Sequence, residues 1–200
     1  MIHTLWHDRI LIEDDLLDPQ GWSNFRDWVG VEFGRRQTKP IMSIDHLNLP
    51  PELGYYAAML DGAVTNYCEA CGIDYAMDIV NLQATWVENY NETSHHEFVH
   101  EPHHDLSEGG YLVAVYYVCT DVNSLTRFVG GDLAIYKALT YSEYPEGMVH
   151  VRAIPNRLVV FPAMLYHRIK PYFGRSPRIA LSAVLSKSAD TVQNKRVCTL

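Results

Sequence analysis

Pro102-His103-His104-Asp105, followed far downstream by Phe161-Pro162 and His167, decides how this chain is read. On an extended strand successive side chains point to opposite faces, so His103 and Asp105 share a face and His104 turns away. Two metal ligands therefore leave one strand end, and a third must come from a neighbour. The short apolar run Arg157-Leu158-Val159-Val160-Phe161 ends just before Pro162 and reads as that neighbouring strand, with His167 in the turn or strand that follows. Two neutral imidazoles and one carboxylate fill one face of an octahedron, hold divalent iron and leave three positions open.

A rival set of donors lies close by. Residues 95–104, HHEFVHEPHH, include His95-His96-Glu97, itself a His-x-Glu pair. No strand-like run follows that pair directly, whereas Asp105 is followed after a short Ser-Glu-Gly-Gly turn by the apolar residues 111–118. His95, His96 and His100 read more simply as surface or core-satisfied histidines, with His96 or His100 placed to line a substrate entrance.

The order of segments beyond the His-x-Asp is specific. PHHD is followed by YLVAVYYV at 111–118, GGDLAIY at 130–136, NRLVVFPAMLYHRIKP at 156–171 and RIALS at 178–182. This succession resembles the core of the iron(II) and 2-oxoglutarate-dependent dioxygenases, in their prolyl-hydroxylase-like branch. RILIEDDLLDP at 9–19 and LQATWVENY at 82–90 resemble the opening strand and the strand before the His-x-Asp in that family. Residues 31–78 and the tail from Lys187 carry no family signature.

The resemblance implies a mainly β (α+β) fold, a double-stranded β-helix or jelly-roll core with supporting N-terminal helices. It also implies His103, Asp105 and His167 as iron ligands, Arg178 as the cation for the distal carboxylate of 2-oxoglutarate, and dioxygen as oxidant. An arginine suits the anchor because its planar fork donates two hydrogen bonds to one carboxylate and stays charged. Arg175 is the other candidate, but Arg178 opens the alternation Ile179-Ala180-Leu181, whereas Arg175 sits in the turn-like Gly174-Arg175-Ser176-Pro177. Tyr90 is a further candidate contact to the co-substrate, set against the simpler reading of a half-buried strand aromatic. The carboxylate at Asp105 separates this chain from halogenating relatives, which carry a small residue there. The implied reaction is hydroxylation of an unactivated C–H bond of a small molecule, an amino acid or a short peptide, with release of succinate and carbon dioxide.

Composition agrees with one compact domain: 200 residues at 48% apolar content suit a single core. The expected parts are an N-terminal strand with supporting helices (1–80), the β-helix (81–187) and a tail (188–200). Helices are expected near 21–29 and 52–71, the second from Tyr55, Tyr56, Met59, Leu60, Val64 and Tyr67 at helical spacing. A net charge of −8 without a basic cluster speaks against nucleic-acid binding. The lack of a long apolar run speaks against a membrane span, and acidic residues early in MIHTLWHDRILIEDD speak against a signal peptide, so a cytoplasmic protein is expected. Cys68-x-x-Cys71 falls on the expected second helix, where one turn gives that spacing without any redox role, and Cys119 ends a strand. Gly130-Gly131 is expected to serve hairpin geometry. Segments 119–128 and 137–147 are candidate specificity loops.

Two readings from other classes stand beside the oxygenase. A redox-neutral metal enzyme of hydrolase type would use the same ligands for zinc but has no use for a dicarboxylate anchor such as Arg178. A non-catalytic β-helix binding module would have no reason to keep all three ligands and the anchor.

Overall fold

The computed structural model describes residues 2–5, 10–36, 41–45, 47–74, 76–87, 102–106, 110–120, 130–136 and 147–188. Its elements run β1 (Ile2–Leu5), β2 (Ile10–Asp14), α1 (Pro19–Arg36), β3 (Ile41–Ser43), α2 (Pro51–Ala70), β4 (Met77–Val87), β5 (Leu112–Cys119), β6 (Leu133–Tyr136), β7 (Met148–Val151), β8 (Arg157–Pro162), β9 (His167–Ile169) and β10 (Arg178–Lys187).

Antiparallel pairing gathers seven strands into one sheet in the order β1-β2-β8-β5-β10-β4-β3, and three into a second in the order β7-β6-β9. An isolated bridge between His103 and His167 adds the ligand stretch beside β9 in the second sheet. From the ligand stretch onward the chain passes back and forth between the two sheets, with β6 and β7 consecutive in the smaller one, which is a double-stranded β-helix. The expected fold class is correct, with one correction of detail. The apolar run that becomes β8 pairs with β2 and β5 in the large sheet, so the neighbour of the His103 stretch is β9.

Two cores result from the two faces of the large sheet. Between the sheets lie Ile10, Ile12, Val113, Val115, Val159, Phe161, Leu165 and Ala180. On the outer face α1 and α2 pack against Ala114, Tyr116, Val118, Leu158, Leu82 and Ala84. Phe25, Tyr56 and Tyr116 meet there with ring centroids 5.1–5.9 Å apart. Because β5 and β8 are covered on both faces, their sequences are nearly continuous apolar runs.

The first helix starts where its cap dictates, whereas α2 starts at Pro51 with no side-chain cap. Asp18 Oδ1 accepts the Gln20 and Gly21 amides at 2.9 Å, with Pro19 at the first helical position of α1. With no proline until Pro40, α1 continues to Arg36, well past the expected 21–29. In α2 the buried stripe is Leu53, Tyr56, Leu60, Ala63, Val64, Tyr67 and Cys68, while Tyr55 is exposed and donates its hydroxyl to Asp18 Oδ2 at 3.0 Å. Cys68 is buried and Cys71 exposed just beyond the helix, both as free thiols. No helix among the described residues is long and apolar enough to cross a membrane.

Asn156 ties the N-terminal segment to the β-helix. Its Oδ1 accepts the Leu17 amide at 2.9 Å and the Tyr116 hydroxyl at 2.8 Å, and its Nδ2 donates to the Leu17 carbonyl at 2.7 Å. Its φ of 63° is one that asparagine tolerates better than other side chains. Asn156→Ala orphans three buried partners and strains the backbone, so urea unfolding should show a loss of about 3–5 kcal/mol. Asn156→Gly, which relieves only the backbone, should recover about 1 kcal/mol of it. A loss below about 1 kcal/mol in the alanine variant would show that the joint contributes little.

Candidate active site

His103 and His167 face each other across the bridge that joins their backbones. The His103 amide donates to the His167 carbonyl at 3.0 Å, and the His167 amide to the His103 carbonyl at 2.8 Å. The imidazole centroids are then 4.4 Å apart. Asp105 comes in two residues later because its amide donates to the Ala163 carbonyl at 3.1 Å, while the Ala163 amide donates to Tyr111. One ligand atom from each of His103, Asp105 and His167 lies within 4.8 Å of the others. The spacing inferred from strand geometry is therefore met, although the His103 stretch is a single bridge and not a full strand.

The His167 imidazole is fixed in one orientation. A carbonyl only accepts, so the contact of 3.1 Å from Nδ1 to the Leu165 oxygen places the proton on Nδ1 and leaves the Nε2 lone pair for a metal. Nε2 lies 3.5 Å from Asp105 Oδ2, and the Phe161 ring packs edge-on against the imidazole. Burial, reinforced by the neighbouring His103, lowers its pKa to about 3, so it is neutral at pH 7. Burial pushes the Asp105 carboxyl upward, with His103 and His104 opposing. A divalent cation at this point would favour the carboxylate form.

A cavity of about 130 Å³ opens from these three side chains toward Arg178. Its apolar walls are Val115, Leu133, Ile169, Ala180 and Val184, and Asn81, Gln83, Thr85 and Ser182 give it one polar side. Arg178 is fully buried. Its Nε donates to the Gly131 carbonyl at 2.9 Å, its guanidinium carbon lies 4.9 Å from the Tyr117 ring centroid, and both terminal nitrogens are buried without a hydrogen-bond partner. Among the described residues no carboxylate lies within ion-pairing distance of it. The buried Tyr117 hydroxyl likewise has no partner of ordinary geometry. A buried cation whose terminal nitrogens find no acceptor, lining the same cavity as three potential metal donors, fits an anionic group from outside the chain, since buried polar groups are otherwise nearly always satisfied. Arg175, by contrast, is exposed.

Tyr90, His95, His96, Glu97 and His100 lie outside the described residues, as do most of the two candidate specificity loops. Sequence reasoning passed over Tyr117. Every β5 residue from Leu112 to Val118 is buried, so composition does not tell the cavity face from the helix face. Pairing parity does: Tyr117 sits opposite Ala180 on the same face as Val113 and Val115.

No protein-family model matches the sequence, and no curated protein matches it. Solved structures do match by shape. A prolyl hydroxylase from Trichoplax adhaerens, in complex with a hypoxia inducible factor oxygen degradation domain peptide fragment, aligns with 96% of this chain and 88% of its own at 14% identity and a TM-score of 0.62. A Pseudomonas putida prolyl-4-hydroxylase aligns with 90% of this chain and 94% of its own at 15% identity and 0.60. The non-heme alpha ketoglutarate dependent epimerase SnoN from nogalamycin biosynthesis aligns with 90% of this chain and 78% of its own at 14% identity and 0.60. By its fold, then, the chain is a double-stranded β-helix of the kind found in iron(II) and 2-oxoglutarate-dependent oxygenases, in their prolyl-hydroxylase-like branch.

Proposed function

We propose that the chain is a single-domain iron(II) and 2-oxoglutarate-dependent oxygenase that hydroxylates an unactivated C–H bond of a small molecule, an amino acid or a short peptide. The observation that carries the proposal is the fully buried Arg178, its two terminal nitrogens unpartnered, in the cavity that also contains His103, Asp105 and His167. Three ligands alone fit zinc hydrolysis as well; a buried, open guanidinium beyond them fits a dicarboxylate co-substrate and gives a hydrolase nothing.

His103, Asp105 and His167 would hold iron(II), Arg178 with Tyr117 would hold the distal carboxylate of 2-oxoglutarate, and dioxygen would be the oxidant. Bound iron and co-substrate supply the oxidation, in which 2-oxoglutarate loses carbon dioxide to become succinate and an oxygen atom enters a C–H bond of the substrate. The chain's own part is placement and exclusion. The neutral His167 offers Nε2, oriented by its Leu165 and Phe161 contacts. Arg178 offers the N–H donors of its two terminal nitrogens from a fully buried side chain. Val115, Leu133, Ile169 and Ala180 give that cavity apolar walls, facing it alongside the polar Asn81, Gln83, Thr85 and Ser182. A reducing, cytoplasmic setting completes the proposal, in keeping with free thiols at Cys68, Cys71 and Cys119.

Anaerobic titration with iron(II) and then 2-oxoglutarate tests the reading. A saturable visible charge-transfer band, lost in His103→Ala, is the expected result. Iron binding without the band would leave the likeness to these oxygenases one of fold alone.

A further inference from the structure

Arg178 reaches the cavity by one narrow course, past the backbone of Gly131. The Gly131 carbonyl takes its Nε–H, and a Cβ on Gly131 would lie 2.9 Å from Arg178 Cδ and 2.8 Å from Cδ2 of Tyr172. Both separations are shorter than real side-chain carbons show. On the other side stands the Tyr117 ring, 4.9 Å from the guanidinium carbon. Gly131 is itself immobilised: its amide donates to the Pro171 carbonyl at 3.0 Å, and Gly130 bridges Tyr172. Tyr172 is fully buried, with its hydroxyl donating to the Ser176 carbonyl at 2.5 Å. A guanidinium on a flexible stem is thus confined in a slot whose floor is a glycine.

We propose that Gly131, backed by Tyr172, is a positioning residue that sets the distance between the Arg178 guanidinium and the metal ligands, and thereby selects the chain length of the dicarboxylate co-substrate. The inference rests on the function proposed above. A 2-oxo dicarboxylate is gripped at both ends, by its 2-oxo acid head at the metal and by its far carboxylate at the cation. Two grips at a fixed separation admit one length. Oxaloacetate is one methylene shorter and 2-oxoadipate one longer, so each satisfies one grip at the expense of the other. A side chain at residue 131 displaces the Arg178 stem and breaks its bond to the Gly131 carbonyl, so the second grip loosens while the first is untouched.

The full chain loaded with iron(II) is titrated anaerobically with 2-oxoglutarate, oxaloacetate and 2-oxoadipate, and the ratios of dissociation constants are compared. The native chain is expected to favour 2-oxoglutarate at least tenfold over either homologue. Gly131→Ala is expected to reduce that preference at least fivefold, chiefly by weakening 2-oxoglutarate. General damage to the fold lowers the competent fraction equally for all three acids and leaves the ratios unchanged, so the ratios separate positioning from stability. Gly131 has a φ of 74°, where alanine is strained. Should Gly131→Ala fail to fold, Tyr172→Leu, which removes the ring behind the slot at no backbone cost, decides with the same expected direction. Unchanged ratios in a folded variant overturn the positioning role and leave the site reading intact. A native chain that gives no band with any of the three acids overturns the site reading itself.

Discussion

His167→Ala removes iron from the site and ends turnover of 2-oxoglutarate, while the protein stays folded. The triad supplies three donors, and two donors on one bridged strand pair do not hold iron(II) in a fixed facial geometry. Residues that merely hydrogen-bond to a metal ligand are worth about 10- to 100-fold in affinity or activity, so loss of a ligand itself should cost more than about 100-fold. The fold should bear the change, because the amide and carbonyl that bridge residue 167 to His103 belong to the backbone, and the lost Nδ1 contact to Leu165 is worth only about 1 kcal/mol. Iron stoichiometry by colorimetric assay, with circular dichroism as the folding control, reads both arms. Full iron occupancy in the folded variant would take His167 out of the triad. Asp105→Gly should fail in the same way, and a nearly silent Asp105→Gly would transfer the carboxylate role to Glu97.

Arg178→Met separates binding from stability. The native guanidinium is fully buried, has no carboxylate within ion-pairing distance among the described residues and leaves two nitrogens unpartnered, so it is a destabilising group in the protein alone. Methionine of similar length removes that cost, and the co-substrate-free variant should melt at the native temperature or above it. Affinity for 2-oxoglutarate should move the other way. Deleting one partner of a buried, charge-assisted pair costs about 3–4 kcal/mol, or roughly 10²- to 10³-fold in Kd. Added 2-oxoglutarate should raise the melting temperature of the native chain and hardly that of the variant. An unchanged Kd would transfer the anchor away from Arg178, while a large loss of stability without ligand would show that the guanidinium is satisfied within the fold.

That His103, Asp105 and His167 come together was legible because the signal is local. A parity of two places His103 and Asp105 on one face whatever surrounds them, and Arg178 was distinguishable from Arg175 by the alternation that follows it. What failed to show in the sequence depends on which sheet a strand joins. The run at β8 precedes His167 in the chain, yet it belongs to the opposite sheet, because the chain crosses from one sheet to the other between β8 and β9. The start of β4 at Met77 was hidden for a different reason. Its inward residues Asn81, Gln83 and Thr85 are polar because they line a cavity, while Leu82 and Ala84 point outward into the helix-covered core. A register shift opposite Val184 and Leu185 also breaks the alternation, so Met77 and Ile79 share the helix-covered core with Leu82 and Ala84 out of phase, and the strand read from Leu82 begins late. Tyr117 was lost among residues buried on both faces.

The strand that carries Arg178 also occupies the middle of the large sheet, between β5 and β4, although it is the last strand among the described residues. Its neighbours β5 and β4 can make their hydrogen bonds to it only after residue 187 has been synthesised. A chain emerging from the ribosome therefore holds both as open edges until β10 is outside, and β2 waits likewise for β8. Such non-local pairing folds slowly and exposes edges that aggregate. The same order has a compensating effect: Arg178 and the closing strand arrive together, so a chain cut short before β10 lacks both the buried cation and the centre of its sheet.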